Sequence, residues 1–206
     1  MTDTMILHEN ALSGNCYKVR LTAAHLGLPL ERREYDILAG ETRTPHFLQT
    51  VNANGKTPVL QIGDRFIPES NAACFYLADG SDLIPAERFA RADMLHWMFF
   101  EQYSHEPNVA TLRFWLAYIG EEKLGETQRA QIPGKRAGGD AALKVMDRHL
   151  AGRDFFVGTR LTLADIALYG YTHVAEEGGF DLNLYPNIRN WLERVAAMPG
   201  HIPIDA

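Results

Sequence analysis

Four side chains in this sequence are of types and spacings that can handle a small anionic peptide: Ser13, Lys56, Glu69 and Ser70. Ser70 opens the apolar run Ser70-Asn71-Ala72-Ala73-Cys74-Phe75-Tyr76-Leu77, which predicts a helix whose free N–H groups and positive dipole end suit a carboxylate. Glu69, just before it, can pair with an ammonium group. Ten residues upstream, Thr57-Pro58-Val59-Leu60 reads as a strand entered through a proline placed for a cis peptide bond. A turn there is expected to leave the backbone N–H and C=O of Val59 free, so that an extended peptide adds itself as another strand. Lys56, with Arg43 and His46 as weaker candidates, can supply a cation for a second carboxylate. Ser13 precedes a helical pattern in which Cys16, Val19, Ala23 and Leu26 share one face, so its hydroxyl sits at a helix start.

The elements that must position these residues follow in order. Met5 to Glu9 is a short apolar strand, and the helix after Ser13 is stopped by Gly27 and Pro29. Leu30 to Tyr35 is a polar edge strand, and a connector with a short helix near Pro45 leads to Val59. Gly63-Asp64 turns that strand back through Arg65-Phe66-Ile67. The order is βαβ, connector, ββα, a small mixed sheet covered by helices. Residues 80–86 read as a linker, and the remainder, 87–206, reads as helical. Within it, Ala90 to Tyr118 is a long aromatic stretch with a kink expected at Pro107. Thr127 to Leu150 is a second long helix with a weak spot at Pro133-Gly134. Thr162-x-x-Asp165 is close to a capping box before the run from Ile166, and Pro186 to Met198 is the last helix.

This set of motifs resembles the glutathione S-transferase family over the whole chain. The resemblance implies an α/β thioredoxin-like first domain (1–79) that binds glutathione and an all-α second domain (87–206) that builds a pocket for an electrophile. It places Ser13 where serine-type (theta-, phi- and zeta-like) members carry the serine that donates to the glutathione thiolate. Val59, Glu69, Ser70 and Lys56 take the peptide, with Ser70 on the γ-glutamyl carboxylate and Lys56 on the glycine carboxylate. Leu12, Tyr103 and Arg113 are candidates for the second-substrate pocket. A cysteine at the place of Cys16 acts in beta-class members, which makes glutathione-dependent disulfide exchange or peroxidase chemistry the alternative; Cys16 here also continues the apolar stripe. A further alternative is a non-catalytic module of the same fold that binds a protein partner. A homodimer is expected from the resemblance.

The net charge of −6 argues against a nucleic-acid surface or polybasic membrane patch. No apolar stretch approaches the length of a membrane span, and the start lacks a leader pattern, so a cytoplasmic protein is expected, and the resemblance implies a role in detoxification. Cys16 and Cys74 read as free thiols, Cys74 in packing, and the His and Glu residues of 99–106 lack the spacing of a metal site, so no metal is expected.

Overall fold

A computed structural model describes residues 4–206. The chain forms two compact units, the first running through Ile84 and taking in Pro199–Ala206, the second comprising Pro85–Met198.

In the first unit β1 (Met5–Glu9) leads to α1 (Gly14–Leu26), and β2 (Glu31–Glu34) returns parallel to β1. Parallel return requires a crossover, and α1 supplies it. Ser13 starts the helix in extended conformation, its Oγ accepting from Cys16 N. Gly27 ends it at φ 65°, a left-handed position that a residue without Cβ adopts at little cost. After a 3-10 turn and α2 (Pro45–Thr50), capped by Thr44, the chain enters β3 (Val59–Ile62) through a cis Thr57-Pro58 bond. The Gly63-Asp64 turn leads to β4 (Arg65–Pro68) and then α3 (Ser70–Leu77). The sheet order is β2-β1-β3-β4, with β3 antiparallel to both neighbours. On one face Phe47 and Val51 of the α2 region cover Val59, flanked by Tyr35 and Phe66; α1 and α3 pack against each other.

The eight residues 199–206, which sequence reasoning had put with the helical domain, belong to this unit. Four side chains bind their backbone: Tyr17 Oη donates to Ile202 O (2.6 Å), Arg20 donates to Ile204 O and Ala206 O, Arg32 donates to Ala206 O, and His25 Nδ1 contacts Pro199 O. Glu9, fully buried, pairs with both Arg20 and Arg32, so its one negative charge is shared between two guanidinium groups, each of which also donates to Ala206 O.

The second unit is helical. Glu87 caps α4 (Arg88–Phe100) by accepting from Phe89 N and Ala90 N. The chain then makes a wide π-helical turn (Glu101–His105) before α5 (Glu106–Arg113) and another at Phe114–Ile119. The expected break at Pro107 is thus absorbed: the wide turn makes room for the ring, and Pro107 sits in the first turn of α5. α6 (Glu126–Leu150) continues through Pro133, which removes one rung of its ladder. α7 (Leu163–Thr172) starts at the capping box foreseen at Thr162 and Asp165, and α8 (Pro186–Ala196) stops two residues short of the expected end. Asp165 is fully buried and accepts from Phe156 N, Thr162 N and Oγ1, and Trp191 Nε1. It therefore ties the start of α7 to the centre of α8. Among the described residues, no helix is long and apolar enough to cross a membrane.

Candidate functional site

The start of α1 and the start of α3 meet. Asn15, in the first turn of α1, accepts at its Oδ1 from Ser70 Oγ (3.1 Å) and from Lys18 Nζ (2.7 Å). Neither helix carries an acidic residue in its first turn, so the positive ends of both dipoles are left uncompensated from within the helix. Two helix N-termini side by side form a region that favours an anion.

Ser13, the cap of α1, and Ser70, the first residue of α3, therefore stand at the two helix starts that meet through Asn15. Cys16 links Ser13 to the loop before β3: the hydroxyls of Ser13 and Thr57 both hydrogen-bond its sulfur, and Asn10 N donates to it at 3.4 Å. Burial pushes the Cys16 thiol up to about 11, although these hydrogen bonds act in the opposite direction. Cys16 is completely buried, so it is a neutral thiol in the core of the unit near pH 7.

Val59 is placed differently from expectation. It lies in β3 opposite His8 on one side and Pro68 on the other. The two-residue turn makes Ile62 and Arg65 the closing hydrogen-bonded pair, so Val59 faces Pro68 without a bond and directs its N–H and C=O to His8 of β1. Its backbone is engaged inside the sheet. Thr57, whose carbonyl carbon enters the cis bond, lies outside the ladder, and among the described residues its N–H and C=O have no hydrogen-bond partner. Thr57, two residues before Val59, is thus the residue here whose backbone N–H and C=O are both unpaired, the feature sequence reasoning assigned to Val59.

Lys56 is exposed beside Thr57, with its carbonyl held by Asn52 Nδ2 at 2.9 Å. Arg43 lies over the same loop, donating to Asn54 O, and His46 is exposed on α2. Glu69 is exposed and has φ 71°, ψ 118°; among the described residues it is the one non-glycine residue with positive φ. Such a backbone is sparsely populated and costs about 1–3 kcal/mol, and outliers of this kind cluster at ligand sites.

Of the second-substrate candidates, one lies in the first unit and two in the second. Leu12 is 45% exposed in the loop before Ser13, and Tyr103 is 88% exposed in its own unit. Arg113 is buried, with Nε on Glu177 Oε2 at 2.8 Å and its guanidinium over the Tyr118 ring, so it braces the helical unit. Sequence reasoning also passed over Lys18, which is fully buried. The available signal was its spacing of three from Asn15, which puts both on one helix face.

Residues 4–79 match the glutathione S-transferase N-terminal domain family and residues 96–199 the C-terminal domain family. The maize protein glutathione S-transferase 3 is 31% identical over 203 residues, covering 94% of this chain and 90% of its own. Among solved structures, a glutathione S-transferase from Pseudomonas fluorescens Pf-5 is 46% identical with a TM-score of 0.91, covering 97% of this chain and 98% of the other. One from Rhodopseudomonas palustris, described as a possible glutathione S-transferase, is 45% identical with a TM-score of 0.93, covering 98% and 90%. With both domain families matched in order on a four-stranded mixed sheet followed by a helical unit, the chain belongs to the glutathione S-transferase family.

Proposed function

We propose that the chain is a glutathione transferase that joins the glutathione thiolate to a small, hydrophobic electrophile, with glutathione as co-substrate. The observation that carries the reading is the meeting of two uncompensated helix N-termini at Ser13 and Ser70 beside the unpaired backbone of Thr57. In this reading Thr57 pairs in extended fashion with the cysteinyl unit. Ser70 and the first N–H groups of α3 take the γ-glutamyl carboxylate, Glu69 takes its ammonium, and Lys56 takes the glycine carboxylate.

Ser13 then stands at the thiol. Its oxygen accepts from Cys16 N as a cap, and its proton goes to an acceptor. A neutral Cys16 thiol is a weak acceptor, so a thiolate brought to Ser13 takes that proton instead. A charge-assisted hydrogen bond contributes roughly 1.5–3 kcal/mol, which corresponds to lowering the bound thiol pKa by about one to two units. Ser13 stabilises the nucleophile and is not itself the nucleophile. Leu12 offers apolar surface next to it for the electrophile.

Burial of Cys16 disfavours the redox alternative, since disulfide exchange requires an accessible thiolate. A non-catalytic module would keep the fold without the thiolate chemistry. Titration calorimetry with glutathione, combined with assays against an aryl halide, a hydroperoxide and a glutathione mixed disulfide, distinguishes the three. Conjugation of the halide is expected; binding without any turnover supports the module, and turnover of the mixed disulfide alone supports the redox reading.

The proposal includes a cytoplasmic homodimer. Phe89 and Phe99 of α4 and Tyr103 in the turn after it are 78%, 71% and 88% exposed, apolar surface that a second copy would cover. Sedimentation at micromolar concentration is expected to show twice the 23.1 kDa chain mass.

A further inference from the structure

Lys18 has no role in the chemistry described so far, yet it is a completely buried lysine two hydrogen bonds from Ser70. Lysine is almost never fully buried unless its ammonium is held by polar partners. One partner is Asn15 Oδ1, at 2.7 Å. Because an ammonium can only donate, the Asn15 atom facing it is the oxygen, and the orientation of the amide is thereby fixed. Ser70 Oγ meets that same oxygen at 3.1 Å and must therefore be the donor. The serine proton points at Asn15.

A carboxylate arriving at the start of α3 offers Ser70 a charged acceptor in place of an amide oxygen. The serine proton can then turn to the ligand without orphaning Asn15 Oδ1, because Lys18 continues to satisfy it. An unpaired buried acceptor would otherwise oppose the exchange. The ammonium also places a positive charge two hydrogen bonds from the serine oxygen, in a low-dielectric setting.

We propose that Lys18, acting through Asn15, is a positioning residue that makes the Ser70 end of the site selective for ligands carrying a carboxylate. This rests on the glutathione reading above. A carboxylate bound at Ser70 would lie roughly 8–10 Å from the ammonium, and at an effective dielectric of about 20 that interaction corresponds to about a ten- to thirtyfold change in affinity.

The test compares three peptides by calorimetry: glutathione, γ-aminobutyryl-cysteinylglycine, which lacks the γ-glutamyl α-carboxylate, and glutaryl-cysteinylglycine, which keeps a carboxylate and lacks the amine. Lys18→Met, of similar length and neutral, is expected to weaken glutathione and the glutaryl peptide by about ten- to thirtyfold while leaving the aminobutyryl peptide within about twofold. Asn15→Ala keeps the ammonium but removes the oxygen that joins it to Ser70, so it is expected to show a smaller loss confined to the same two peptides, with the double variant close to Lys18→Met. If Lys18→Met fails to fold by circular dichroism, the three-ligand comparison on Asn15→Ala carries the test. Equal losses for all three peptides, or none, would overturn the role of Lys18. Failure of the unmodified protein to bind glutathione would instead overturn the functional reading on which it stands.

Discussion

Glu69 gives a prediction in which stability and affinity move in opposite directions. It is exposed, its side chain makes no capping bond, and its backbone sits at φ 71°, ψ 118°. Replacing it with alanine keeps the Cβ and therefore the strain, whereas glycine removes both. Glycine ordinarily costs about 0.5–1 kcal/mol relative to alanine through chain entropy. Against that, relief of a backbone outlier returns about 1–3 kcal/mol. Glu69→Gly is therefore expected to be more stable than Glu69→Ala by about 1 kcal/mol. For a urea m-value of about 2–3 kcal/mol/M, this moves the unfolding midpoint upward by roughly 0.3–0.5 M. Both variants lose the carboxylate proposed to meet the ligand ammonium, so both are expected to bind glutathione more weakly by about 1–2 kcal/mol. The assay is urea unfolding followed by circular dichroism, with calorimetry on the same samples. A glycine variant less stable than the alanine variant by the ordinary 0.5–1 kcal/mol would refute the strain argument.

Two further outcomes concern the frame around the site. Asp165→Asn turns an amide NH2 toward donors that the carboxylate now accepts from, and is expected to cost about 2–4 kcal/mol, read as a fall in thermal midpoint. His25 contacts Pro199 O through Nδ1, which must donate to a carbonyl, and its buried Nε2 has no partner among the described residues. Burial, the largest cause, holds its pKa below the ordinary 6.5, so the unfolded chain binds more protons and stability is lost as pH falls below 6.5 through the folded value. His25→Asn is expected to flatten this loss in unfolding curves between pH 7.5 and 5.5; His8 and His201, whose pKa values burial also lowers, keep part of the slope.

Much of the frame was legible because local chemistry marks it. Ser13 and Thr162 are hydroxyl residues ahead of apolar periodicity, Gly27 ends a helix, and Gly63-Asp64 closes a two-residue turn, so each boundary carried its own signal. Ser70 was legible for the same reason. Val59 misled because the direction of its peptide groups is decided by the register of β3 against β1 and β4, which no residue type records. Lys18 carries no sign of burial in its residue type, and it is buried because most of α1, from Cys16 to Ala23, is enclosed. Residues 199–206 form no regular element and announce no partner in sequence. They are held through their backbone oxygens by Tyr17, Arg20, Arg32 and His25, all far away along the chain. The interruption at Pro107 was foreseen as a kink and appears as a widened turn, since a helix packed on both sides accommodates a proline ring more readily by local unwinding than by bending.

The central claim is that Ser13 holds the glutathione thiolate, and the most direct measurement is the ultraviolet absorbance of that thiolate in the bound complex as a function of pH. In Ser13→Ala the apparent pKa of bound glutathione is expected to rise by about one to two units, and conjugation at pH 7 to fall by about ten- to a hundredfold, from roughly 1.5–3 kcal/mol of lost hydrogen bonding. Affinity should change far less, because Thr57, Glu69 and Ser70 still hold the peptide. In Cys16→Ser the titration is expected to stay near that of the unmodified protein, with some loss of stability from a hydroxyl in the place of a buried thiol. A thiolate titration unchanged in Ser13→Ala, together with activity abolished in Cys16→Ser, would contradict the account and assign the chemistry to the cysteine.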